Sequence, residues 1–542
     1  MASSATGFFQ DPPALSNQFE DDAVLRSILA HASMPGDLYG EVVRDLTRFG
    51  AVVVDEVMLD AVADAEAHPP ELVQYDAWGR RRDRIHTSAG WKHMKATSAT
   101  EGLIAIAYDE RYGRHARLYQ FAKYYLFASS SAVYTCPLAM ADGAARILKI
   151  HGGTDEAFRK AFQCLTSRDP ATFWTSGQWM TERPGGSDVS RTETVATHVA
   201  DDAYVVNGFK FFSSATDSDM AFLLARIGDS PRLSLFYTEI RTASGALNGI
   251  RIQRLKRKLG TRAVPTAELE LVGMRARLVG EPGRGVATIA TLLNITRLHT
   301  AVNSVSFLRR ALAIATSYSS KRRAFGKLLN EHPLHMETLR DLEAVCRACM
   351  HLTFFVVRLL GTVESGDGTA DDDQLLRLLT PVAKAWVSKM SVLAISECLE
   401  ALGGQGYMED AGLPRLLRDC QVNTIWEGTT NVLALDTRKV LDKQGMPELL
   451  WSTLGKEVSG QPVDPVCAAR MSAEVRQIKD TLPALMQEHN ARKLLFQLGE
   501  LTSAALMIGH AGRTGSADDV AFARRWCLQR PLCTPSGRPS RL

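Results

Sequence analysis

The period of the hydrophobic residues changes twice along this 542-residue chain, and few folds accommodate that order. From about residue 20 to 170 apolar residues recur at three-to-four spacing, as in DLYGEVVRDLTRFGAVVVDEV and RLYQFAKYYLFASSSAVYT. That is the pattern of helices with one buried face. From about 171 to 285 the period becomes two, in AYVVNGFKFFSS, MAFLLARI, RLSLFYTEI, IRIQRL and AELELVG, with Gly, Pro, Asp and Ser between them. Short β-branched and aromatic segments punctuated this way predict a compact antiparallel β domain. Helical periodicity returns from 286, through 334–364, 374–402 and 428–443, and a four-helix bundle is the simplest way to bury four long amphipathic helices. The expectation is an α+β protein with a helical domain over 1–170, a β domain over 171–285, a helical bundle over 286–445 and a helical extension with a flexible tail over 446–542. The polar stretch HPPELVQYDAWGRRRDRIH, with Pro69 and Pro70, reads as loop.

Composition narrows the partners. The chain is 45 % hydrophobic and 23 % charged, as a globular protein is, and its net charge of +3 predicts no strong attraction to nucleic acid or anionic membrane. No run of 18 apolar residues is seen, so no transmembrane helix is expected. The opening MASSATGFFQDPPALSNQ lacks a secretory pattern and is poor in arginine. Of nine cysteines only Cys346 and Cys349 lie close, with no second pair to complete a zinc site, and they read as packed thiols. The last residues, Ser540-Arg541-Leu542, form a variant of the peroxisomal address read by a soluble import receptor.

Three segments carry chemistry. Trp179-Met180-Thr181-Glu182-Arg183-Pro184-Gly185-Gly186-Ser187-Asp188 places hydroxyls beside glycines, which lets donors approach a ligand closely. Asn207-Gly208-Phe209-Lys210-Phe211-Phe212-Ser213-Ser214 leads from a turn into an aromatic strand. Glu400 to Asn431 contains Gly403, Gly404 and Gly406, which follow no strand and so form no Rossmann loop, and then Glu427 between Trp426 and Gly428. A carboxylate beside an indole is poorly solvated, which would raise its pKa and suit a general base. Taken singly, the segments also fit an ordinary loop, a core strand and an acidic helix cap.

Together they resemble the acyl-CoA dehydrogenase family over roughly residues 40 to 445. MTERPGGSD is similar to the family's Thr-Glu-Pro-Gly-Ala-Gly-Ser-Asp flavin loop. Tyr318, Arg322, Phe325 and Gly326 match its Tyr-x3-Arg-x2-Phe-Gly element; LGGQGY and TIWEGTTN match its Gly-Gly-x-Gly-Tyr and aromatic-Glu-Gly-Thr elements. PPELVQYDAWGRRRD, Glu400 and PRLLRDCQVNTIWEGTTNVLALDTRKVL look like the AidB-like branch.

The resemblance implies FAD as cofactor, with Met180, Thr181, Gly186, Phe212 and Ser214 at the flavin. It implies Arg322, Phe325, Gly403 and Gly404 at the diphosphate and adenine of a neighbouring subunit's FAD, and Gly428 and Thr429 beside the cofactor. Ser187, Thr296 and Arg297 would meet the acyl-CoA, and Glu427 would be the catalytic base for α,β-desaturation. Some members carry the base on an earlier helix just before an arginine, where this chain has Thr296-Arg297. Asn294 stands where many members place an aspartate on the pantetheine arm. A shared site implies a homo-oligomer, a tetramer in the family. The electron acceptor would be a flavoprotein or, in an acyl-CoA oxidase, oxygen; the pathway would be peroxisomal β-oxidation or specialised metabolism. The AidB-like branch also implies DNA binding, but residues 440–542 hold 13 Lys+Arg against 10 Asp+Glu, an excess far below the roughly 6–10 phosphate contacts of a tight binder.

Overall fold

The computed structural model describes residues 10–459 and 464–532. The chain packs as two compact units, residues 55–299 and residues 1–54 together with 300–542. Neither unit is a single run of the four expected segments.

In the first unit nine strands form in chain order: β1 Glu71–Tyr75, β2 Arg81–His86, β3 Ser176–Trp179, β4 Val195–Ala200, β5 Ala203–Ser214, β6 Met220–Ile227, β7 Leu233–Glu239, β8 Ile250–Leu255 and β9 Thr266–Val279. The pairings β6–β4, β4–β5, β5–β9, β9–β7 and β7–β6 close on themselves, with β3 added beside β6 and β8 beside β9. The β domain read from the period of two is therefore present, and two of its pairings, β3–β6 and β4–β6, are parallel rather than antiparallel. Trp179, Val206, Leu223, Phe236, Ile252, Leu269 and Met274 fill its interior. Burying such side chains contributes about 1.5–3 kcal/mol each.

The segment expected to be loop is instead the hairpin β1–β2. Its turn is closed by Asp76, whose Oδ1 accepts from the N–H groups of Trp78 and Arg80, and by Gly79 at φ 77°. Inward-facing Asp83 accepts the N–H of Ile252 at 2.9 Å, and Leu72 and Ile85 pack on the β core. The alternation is hidden because polar Arg81 and Asp83 stand on the inward side of β2 and apolar Val73 and Tyr75 on the exposed side of β1.

In the second unit the helices Pro333–Ser365, Ala370–Ala401 and Thr430–Leu441 pack with the later part of Gly285–Ser319, as the periodicity predicts. Pro333–Ser365 and Ala370–Ala401 are long and apolar enough to cross a membrane by length and composition, although charged residues interrupt both. Their apolar windows are 89 % and 83 % buried inside the protein, as core helices are. Cys346 and Cys349 are buried, as packed thiols should be. The C-terminal helices cover the bundle more closely than their weak pattern suggested. Gly499 of Ala491–Thr514 lies on the Trp386 indole, where a Cβ would come within 2.5 Å of Cγ. Arg347 reaches Asp518 and Asp519, and Arg525 reaches Glu337 and Asp341. The tripeptide Ser540-Arg541-Leu542 lies outside the described residues.

Candidate active site

Strand β3 delivers Met180 and Thr181 at its end, both half-buried. The chain then turns tightly, with Glu182 and Gly185 exchanging backbone hydrogen bonds of 3.1 and 3.2 Å. The Glu182 carboxylate points inward and accepts from the Glu193 N–H, the Thr194 hydroxyl and Lys210 Nζ, each at 2.6 Å. Lys210 is 0 % exposed and also donates to the Leu224 carbonyl at 2.9 Å. Burial pulls the Lys210 pKa down, and Glu182 opposes the shift. A buried ion pair holds only when its remaining hydrogen-bonding capacity is satisfied; here both partners are held by the backbone as well. The N–H of Phe211 donates to the Thr181 carbonyl at 2.9 Å, so the 180–188 loop is fastened to the strand that carries Phe212 and Ser214.

Phe212 is 49 % exposed, and the Lys256 ammonium lies 4.3 Å from its ring centroid and 3.6 Å from that of Phe211. Ser214 and Thr266 hydroxyls are 3.1 Å apart. Glu268 takes hydrogen bonds from Arg254 and Lys256, which hold its carboxyl down to about 2 against a smaller opposing effect of burial. Gly186 and Ser187 are exposed, and a Cβ on Gly186 would stand 3.1 Å from Thr181 Cγ2. Glycine there keeps the approach to the Thr181 hydroxyl open.

In the same unit Thr296 is buried and its hydroxyl donates to Leu293 O within its own helix, while Arg297 is half-buried. One turn on, His299 Nε2 meets Asp142 Oδ2 at 2.7 Å. Asp142 also takes Arg117, Gln120 and Tyr108.

In the other unit the helix Leu413–Asn423 ends in a turn that carries Glu427, and the next helix begins at Thr430 with Thr429 as its N-cap residue. Glu427 lies ahead of that cap and so is no first-turn acid. It has φ 58° and Gly428 has φ 101°. A left-handed conformation in a non-glycine residue carries a strain of roughly 1–2 kcal/mol. Glu427 is half-buried beside Trp426. Lys384, 0 % exposed on Ala370–Ala401, donates to the Gly428 carbonyl at 2.6 Å. Asn423 is fully buried, with its amide against the Cys420 thiol.

The residues expected to serve a neighbouring subunit's FAD lie elsewhere on this unit. Phe325, at φ 51°, and Gly326 turn a two-residue hairpin, and the Phe325 ring is 98 % exposed. Arg322 is exposed and reaches only Gln10 Oε1 at 3.4 Å among the described residues. Gly403 and Gly404 open an exposed 3-10 turn that ends at Tyr407. Sequence reasoning missed Glu182, Lys210 and Lys384. The signal was a single lysine inside each of two apolar runs, GFKFF in the strand and PVAKAWV in the helix.

The chain is 41 % identical to acyl-CoA dehydrogenase family member 11 of Caenorhabditis elegans, over 97 % of this chain and 90 % of that protein. The chain belongs to the acyl-CoA dehydrogenase family. It is an FAD-dependent oxidoreductase of that family. It is also 31 % identical to the putative acyl-CoA dehydrogenase AidB of Escherichia coli K12, over 85 % of this chain and 83 % of the relative. By domain, residues 10–169 match the adaptive response protein AidB N-terminal domain. Residues 177–274 match the acyl-CoA dehydrogenase middle domain and 283–441 its C-terminal domain. Residues 463–539 match the acyl-CoA dehydrogenase 11 C-terminal domain-like family. The crystal structure of C. elegans ACDH-11 in complex with C11-CoA superposes with a TM-score of 0.95 at 39 % identity, covering 98 % of this chain and 94 % of that one. The Bd2924 apo-form gives 0.88 at 45 % identity, over 93 % and 100 %.

Proposed function

We propose that this member desaturates an acyl-CoA of about the length held in the C11-CoA complex of its C. elegans relative, with Glu427 as the base. The observation that carries this reading is Glu427 itself. The chain spends backbone strain to set a carboxylate two residues ahead of the helix N-cap Thr429, half-buried beside an indole. Such strain persists where the surroundings impose it, and it clusters at reactive sites.

The residues of the 180–214 region fit a flavin ring. Phe212 offers a half-exposed flat face, Gly186 leaves the Thr181 hydroxyl approachable, and the Glu182–Lys210 pair holds the loop rigid. When bound, FAD supplies the acceptor for the β-hydride. Glu427 removes the α-proton. The thioester carbonyl needs donors as negative charge develops on its oxygen, and the Glu427 backbone N–H is the protein's contribution; loss of one such donor typically costs about 2.7–4 kcal/mol. Ser187, Thr296 and Arg297 are assigned to the acyl-CoA, and Gly428 and Thr429 to the cofactor side of the turn. Exposed Arg322, Phe325, Gly403 and Gly404 support a homo-oligomer, a tetramer, in which they meet a neighbouring subunit's FAD. Ser540-Arg541-Leu542 supports delivery to peroxisomes.

The test is an anaerobic spectral titration of the purified, FAD-loaded protein with acyl-CoAs of increasing length. Bleaching is expected with acyl chains near eleven carbons, and admitting air then separates an oxidase from a dehydrogenase that needs a flavoprotein acceptor. A bound flavin that no acyl-CoA bleaches would contradict the reading.

A further inference from the structure

Lys384 is the residue in this molecule whose placement most needs a reason. It sits in the interior of the helix Ala370–Ala401, among Val382, Ala383, Ala385 and Trp386, all of them buried. Removing an ammonium from water is among the costliest burials a side chain can make. A methionine or leucine would fill the same space without that cost. The lysine therefore marks a position where a donor or a charge is required.

Its target shows which. Lys384 Nζ donates to the carbonyl oxygen of Gly428 at 2.6 Å, a short, charge-assisted bond of the strong kind. Gly428, at φ 101°, follows Glu427, at φ 58°. Two successive residues at positive φ form a turn that the free chain visits rarely. Gly428 is also hemmed in, since a Cβ there would stand 2.9 Å from Leu433 Cδ2. The lysine grips the turn at the peptide immediately after Glu427, from a long helix well anchored in the core.

We infer that Lys384 is a positioning residue for the Glu427 turn, holding the base in its left-handed conformation from beneath by hydrogen bond and charge. The inference rests on the reading of Glu427 as base. A proton acceptor must stay within hydrogen-bond reach of the α-carbon, and displacement of a reacting group by about 1 Å can lower turnover by 100-fold. Releasing the Gly428 carbonyl lets the turn relax away from φ 58°.

The test compares Lys384→Met, Lys384→Gln and Glu427→Gln in the full-length, FAD-loaded protein, with an acyl-CoA that the wild type oxidises. Lys384→Met keeps most of the volume and removes the donor; it is expected to bind FAD normally and to lose about 10- to 100-fold in kcat with KM nearly unchanged. Lys384→Gln retains a neutral donor and should fall between that variant and the wild type. A crystal structure of Lys384→Met should show Glu427 out of the left-handed region. A purely packing role would lower the melting temperature and leave kcat of the folded, flavin-loaded fraction intact, and that result overturns the inference. If Lys384→Met does not fold, Lys384→Gln decides: reduced kcat at constant KM supports the inference and wild-type kcat overturns it. Glu427→Gln separates the two readings. An inactive Glu427→Gln beside a fully active Lys384→Met removes only the role of Lys384, whereas an active Glu427→Gln removes the base assignment and this inference with it.

Discussion

The loop at 180–188 and the turn at 424–429 are each held by a buried lysine, the first through a carboxylate and the second through a backbone carbonyl. In the loop, Lys210 meets a carboxylate, Glu182, which is itself saturated by the Glu193 N–H and the Thr194 hydroxyl. Charge neutralises charge, and the segment so held has little freedom. In the turn, Lys384 donates to a backbone carbonyl, that of Gly428, and the residue it steadies is strained. A platform for a flat ring benefits from the first arrangement. A base that must follow a proton through a reaction benefits from the second, where rigidity is concentrated at one peptide.

The comparison breaks or sharpens under mutation. The largest effect is expected at the loop. Lys210→Met strands Glu182 as an uncompensated buried charge, which costs about 3–5 kcal/mol, and the double variant Glu182→Met, Lys210→Met should lose less than the two single variants added together. Urea denaturation of the three proteins checks both statements. At the turn, Lys384→Met leaves one carbonyl short of a donor and is expected to lose about 1–3 kcal/mol in the same assay. A larger loss at Lys384 than at Lys210 would reverse the contrast.

Taken one group at a time, the smallest effect is that of pH. His299 in one unit and His351 and His510 in the other are all pulled below the ordinary histidine range, in each case chiefly by burial. Around His299, Arg117 adds to the shift and Asp142 opposes it. His510, Arg347 and Arg513 add to that of His351, while for His510 itself Asp519 opposes Arg513, His31 and Arg347. The folded protein therefore binds these protons less readily than the unfolded chain, whose histidines titrate near pH 6.5. Stability from these groups is complete above about pH 6.5 and is lost as pH falls below it, by up to about 1.4 kcal/mol per group for each pH unit. Thermal melts between about pH 7.5 and 5.5 should show the melting temperature falling on acidification. His351→Phe should lessen that fall, and a melting temperature that rises on acidification would contradict the assignment.

The sequence made the architecture legible because periodicity survives translation into packing: AYVVNGFKFFSS becomes β5 and PVAKAWVSKM the core of a long helix. The hairpin β1–β2 was not legible, since polar Asp83 stands on its inner side and apolar Val73 and Tyr75 on its open side, against the alternation that marks a strand. The expected site residues were found by resemblance, and so were the carriers of chemistry rather than their supports. Glu182, Lys210 and Lys384 act through partners 28, 14 and 44 residues away. No local pattern encodes such a partner; only the isolated charge in an apolar run hints that one exists.

The most direct measurement is anaerobic mixing of the purified wild type and Glu427→Gln with the acyl-CoA that best bleaches the wild-type flavin. Glu427→Gln should carry FAD at full occupancy, bind the same acyl-CoA, and leave the flavin oxidised over times in which the wild type is fully reduced. Reduction of the variant at the wild-type rate would show that the α-proton leaves by another route and that Glu427 is not the base.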